Sequence, residues 1–79
     1  MSHVPHELAE EFPDHVETLH ELKAHNAHFV KIADEYHTIN REIHRIETGV
    51  EPASDERAIE LRRKRMALKD EVNTMLNAA

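Results

Sequence analysis

Histidine is the residue type in this chain best suited to chemistry: eight of the 79 positions carry it. Glu21, His25 and His28 stand at i, i+4 and i+7, a spacing that puts all three on one helical face. There two imidazoles and a carboxylate form a weak candidate set of ligands for zinc or nickel. His44 and Glu47 repeat the shorter step. A tight site needs three or four converging ligands fixed by further hydrogen bonds. The linear pattern supplies neither, so no metal or other cofactor is expected. The same imidazoles make charge depend on pH, full protonation carrying the chain from −6 to about +2. A histidine-based metal- or pH-responsive protein is therefore the first alternative function.

The basic run Arg62, Arg63, Lys64 and Arg65 is the second chemical feature, and it raises nucleic-acid association as a further alternative. No aromatic residue interleaves it. The first 22 residues carry six carboxylates and no lysine or arginine, so that end repels phosphate backbones and anionic lipid. Nucleic acid is thus a disfavoured partner, and a neighbouring copy's acidic end is the more economical target for the run. Catalysis lacks parts: Ser2 and Ser54 are the only serines, cysteine is absent, and one glycine cannot build a phosphate-cradling loop. The expectation is a protein that is not an enzyme.

The elements that must position these residues follow from apolar spacing. Phe29, Ile32, Tyr36, Ile39, Ile43 and Ile46 advance by threes and fours, and Ala58, Leu61, Arg65, Leu68, Val72 and Met75 answer them. Each successive pair, from Ile46 with Ala58 to Phe29 with Met75, lies equidistant from Pro52. Two helices folding back near Gly49 would zip along one seam. Gly49, the only glycine, suits a left-handed C-cap. Ser54, followed by Asp55 and Glu56, suits an N-cap. Residues 1–4 read as a tail. Pro5 suits the first turn of a short helix over about 6–12, and Pro13 resets the direction. The pattern predicts a long helix over about 14–48, a turn at 49–54 and a second helix over about 55–77, all in one domain spanning 1–79.

At ~1.5 Å per residue the long helix would reach roughly 52 Å and the second roughly 35 Å. The register sets Ala79 opposite the seam residue His25, so residues 14–24 overhang. Val16, Leu19 and Leu22 lie on that overhang, where Leu8 and Phe12 of the short helix cover part and a second subunit the rest. Val30, Ile59 and Met66 point away from the seam. These six are the candidate interaction residues. Asn26 and Asn40 flank the seam at heptad spacing and are expected to set register by hydrogen bonds between helices. Arg65 is expected to lay its stem in the seam and reach Glu42.

With no cysteine, no run of ~18 apolar residues and no basic-then-apolar leader, the chain is expected to be soluble and cytoplasmic, without a membrane partner. So small a domain gains little from its own core. Self-association is the obvious supplement.

Phe12-Pro13, Leu19, Leu22-Lys23, Asn26 with Phe29, Asp34, Ile39 to Ile43 with Glu47, and Arg65 to Glu71 with Met75-Leu76 together resemble the YdcH-like family of small bacterial proteins. The resemblance spans about residues 12–77, and Leu68-Lys69-Asp70-Glu71 is its most specific part. It implies a bacterial helical hairpin of no established biochemical function and supplies no catalytic residues. The chain departs from the usual pattern at Asn40, where aspartate is common, and at Ala27, where some relatives have proline. The expected fold is all-α, an antiparallel coiled-coil helical hairpin with a short N-terminal helix. The expected function is a non-enzymatic, self-associating protein-protein interaction or adaptor module with an unidentified protein partner.

Overall fold

The structure, a computed structural model, describes residues 6–78. The expectations for the tail at 1–4, for Pro5 and for Ala79 lie outside the described residues. Helix α1 (Leu8–Glu11) leads through a 3-10 turn (Pro13–His15) into α2 (Val16–His25), then α3 (Ala27–Glu47) and α4 (Asp55–Ala78). Among the described residues there is no strand, and the fold is all-α.

The dominant packing joins α3 to α4 as a helical hairpin. The turn between them is built from local hydrogen bonds. Gly49 takes φ +79°, and the amides of Gly49 and Val50 donate back to the carbonyls of Ile46 and Arg45 at 3.2 and 2.9 Å. This crossed pair satisfies carbonyls that the end of α3 would otherwise leave open. Thr48 adds its hydroxyl to the His44 carbonyl at 2.8 Å. On the far side the Ser54 hydroxyl accepts from the Arg57 amide at 3.1 Å and opens α4, with Asp55 and Glu56 at its positive end.

Phe29, Ile32, Tyr36 and Ile43 of α3 and Leu61, Val72 and Leu76 of α4 are buried. Asn40 sits between the two ends of this seam, itself buried, and accepts a hydrogen bond from the Arg65 guanidinium at 3.0 Å. The expected partner of Arg65, Glu42, is taken by Arg57 at 2.8 Å. Together with Arg62 to Glu47 and His28 to Glu71, these contacts rivet both flanks of the hairpin.

The helix expected over 14–48 is not continuous. It breaks at Asn26, whose backbone is extended at φ −126° and ψ 104°. Asn26 closes α2 by donating its amide to the Leu22 carbonyl at 2.8 Å and opens α3 by accepting the Phe29 amide on its side-chain oxygen at 3.0 Å. Its side chain is therefore a helix cap and not a bond across the seam. The overhang disappears with the break. The strap formed by α1 and α2 turns back along α3, where Leu8 and Leu19 join Phe29, Ile32, Ala33, Tyr36, Val72 and Leu76 in one core, with Phe12 and Leu22 packed against it. Burying these side chains, at ~1.5–3 kcal/mol for each large one fully covered, outweighs one interrupted turn. The longest dimension is 38 Å, well short of a 14–48 rod. The short first helix is likewise reduced to Leu8–Glu11.

Candidate interaction site: a groove between strap and hairpin

Where the strap crosses α3 the two leave a groove of about 230 Å³. Its floor is Leu8 and Leu19 from the strap with Phe29 and Ala33 from α3, all buried. Val16 and Val30 form its sides, Val16 being 42 % exposed. Glu7, His20, Lys23, Asp34 and His37 form a mixed charged rim. An apolar floor inside a polar rim suits an apolar side chain presented by another protein more than a reacting group.

The strap is held at the end of the groove near His37. The Glu7 carboxylate lies 2.5 Å from His37 Nδ1, both atoms are shielded from solvent, and neither has another hydrogen-bond partner. Tyr36, wholly buried, donates its hydroxyl to the His6 carbonyl at 2.5 Å. Burial, reinforced by the charge of Glu11, pushes the phenol up to about 12, against the opposing pull of Arg65. Glu11 bridges His6 at 3.0 Å and Lys69 of α4 at 3.4 Å, and the Lys69 ammonium also stands 5.9 Å from the Phe12 ring centre. Burial raises the Glu11 carboxyl, but the His6 hydrogen bond and Lys69 together outweigh it and hold the group below the usual carboxylate range.

Three of the six candidate interaction residues come together in this groove, Val16 and Leu19, which the sequence placed on the overhang, and Val30, which it placed on the outer line. Leu19 is part of the chain's own core and Leu22 packs against it. Ile59 and Met66 are elsewhere, 48 and 66 % exposed on the outer face of α4. Phe29 and Ala33, and the rim groups Glu7, Asp34 and His37, were not foreseen. The step from Val30 to Ala33 to His37 repeats the three-four spacing of a second face on α3, and that was the available signal.

The ligand set Glu21, His25 and His28 is taken apart by the bend: Glu21 and His25 end one helix, and His28 begins the next and contacts Glu71 at 3.0 Å. Among the described residues no three histidine or acidic side chains stand close enough to hold a metal ion. The basic run is largely spent within the chain, Arg62 on Glu47, Lys64 on Glu60 and Arg65 on Asn40. Among the described residues no helix is long and apolar enough to cross a membrane.

A family profile described as "Protein of unknown function (DUF465)" matches residues 29–76. The chain belongs to this family. It is the family of the YdcH-like resemblance, and the matched stretch is the hairpin itself, from the second residue after Ala27 to near the end of α4. The strap lies outside the match. No curated protein and no solved structure matches the chain.

Proposed function

We propose that this DUF465 protein is a non-enzymatic interaction module that associates with a second copy of itself, the groove receiving the outer face of α4. The observation that carries this reading is the pairing of an open apolar groove, flanked by Val16 and Val30, with two large apolar side chains, Ile59 and Met66, left exposed one heptad apart on the opposite helix of the hairpin. Patches of this kind on so small a chain mark contact surfaces. Charge supports the same pairing. Arg63 lies between Ile59 and Met66 in sequence and, unlike the other members of the basic run, makes neither an ion pair nor a side-chain hydrogen bond among the described residues, while Asp34 on the groove rim and Glu17 and Glu21 on the strap also stand without an ion pair. A long-range attraction between these faces steers docking and weakens as salt rises.

Sedimentation velocity at micromolar concentration tests the reading. Wild type is expected to associate, and Ile59→Asp or Met66→Asp to weaken association while leaving helicity unchanged. A strict monomer whose behaviour neither substitution alters would overturn self-association.

A further inference from the structure

We infer that the partner copy is also reached by exchange of the strap: α2 swings out about Asn26 into line with α3, and each chain lays its strap into the seat vacated by the other. The inference rests on the self-association proposed above but not on the contact between groove and α4.

The bend itself supplies the argument. A chain that folds back at one residue pairs positions equidistant from that residue, and Leu19 and Ala33, which share the groove floor, each lie seven positions from Asn26. Two straightened chains crossing antiparallel about a two-fold axis at Asn26 make the same pairs between copies. The seat is therefore complementary to a second copy's strap by construction, since identical residues already fill it. The hinge is a single residue, too short to relax. Nothing in the local sequence opposes straightening, because no proline or glycine occurs from Asp14 to Thr48. The backbone favours it. In the bent form Ala27, His28 and Phe29 make up the first turn of α3, whose amides have no carbonyl of their own helix to reach, and that of Phe29 is taken by the Asn26 side chain. A continuous helix would give all three the carbonyls one turn earlier. The bent form is held chiefly by the Asn26 cap and by the strap contacts, and the latter are conserved on exchange.

Two substitutions push the hinge in opposite directions. Asn26→Ala removes the cap and favours the straight helix, so dimerisation should tighten by about 30-fold, the equivalent of about 2 kcal/mol for one cap per chain. Ala27→Pro fixes the bend. Proline suits the first position of a helix, where the amide has no intrahelical carbonyl to lose, and it requires at Asn26 the extended conformation already present. That variant should lose the exchanged dimer. A third protein, carrying both Lys23→Cys and Val30→Cys on opposite sides of the groove in this cysteine-free chain, reports the topology after oxidation on a non-reducing gel. Exchange predicts disulfide-linked dimers that appear after dilution from denaturant at high concentration and are suppressed by adding Ala27→Pro. Dimers with disulfides only within each chain, or a dimer equally abundant in the Ala27→Pro protein, would overturn exchange and leave self-association standing. Monomers throughout, Asn26→Ala included, would overturn both.

Discussion

Raising the pH through the tyrosine range should unfold this protein, and Tyr36→Phe should remove most of that sensitivity. Tyr36 is the only tyrosine, is wholly buried, and donates to the His6 carbonyl, so its ionisation reports on one site. Its phenol is raised from 10.0 to about 12 in the folded state. A group whose folded value lies above its unfolded value lends stability that is complete below the unfolded value and is lost as pH rises towards the folded one. The window is therefore about pH 10 to 12, and two units correspond to about 2.7 kcal/mol, a large part of the few kcal/mol available to a small domain. At neutral pH Tyr36→Phe gives up one hydrogen bond, about 1 kcal/mol. Urea unfolding of both proteins from pH 8 to 11.5, followed by circular dichroism, separates this effect from lysine titration, which the two share. Tyrosinate absorbance in the wild type should rise together with loss of helix. A tyrosinate transition centred near pH 10 in a chain that keeps its helicity would refute the burial of Tyr36 beneath the strap.

At acid pH the corresponding group is Glu11, whose folded value is depressed. The stability it lends is present above the ordinary carboxylate range and is lost as pH falls through the lowered value. Thermal melts between pH 6 and 3 should show a smaller acid-dependent loss in Glu11→Gln than in wild type, and parallel curves would remove the His6 and Lys69 contacts from the account. Gly49→Ala should lower stability by about 1–2 kcal/mol, because φ +79° is costly for any residue with a Cβ even though no neighbour crowds the position. An unchanged melting temperature would contradict the turn.

The hairpin was legible because its information is local and redundant. Six positions on each side of Pro52 repeat the three-four spacing, and Gly49 and Ser54 have few other uses between two helices. The bend at Asn26 was not legible. Asparagine costs little inside a helix, no proline or glycine marks the site, and its role as a cap becomes visible only once Leu8 and Leu19 have somewhere to be buried. That is a tertiary decision overriding a local preference. The groove followed the bend out of reach, since Val16 and Val30, about 21 Å apart along an unbroken helix, line one groove only when α2 turns back. The shared helical face of the weak ligand candidates Glu21, His25 and His28 is lost for the same reason, because it assumed an unbroken helix.

The central claim is that the strap lies along α3 and seals the core of the hairpin. Nuclear Overhauser contacts between the methyl groups of Leu8 and Leu19 and the rings of Phe29 and Tyr36 test it most directly, because the chain's three aromatic rings of phenylalanine and tyrosine make assignment simple and the same contacts persist if straps are exchanged. The account predicts strong cross-peaks and ring-shifted leucine methyls. Leucine methyls at unstructured-chain positions, with no cross-peak to either ring, would contradict it.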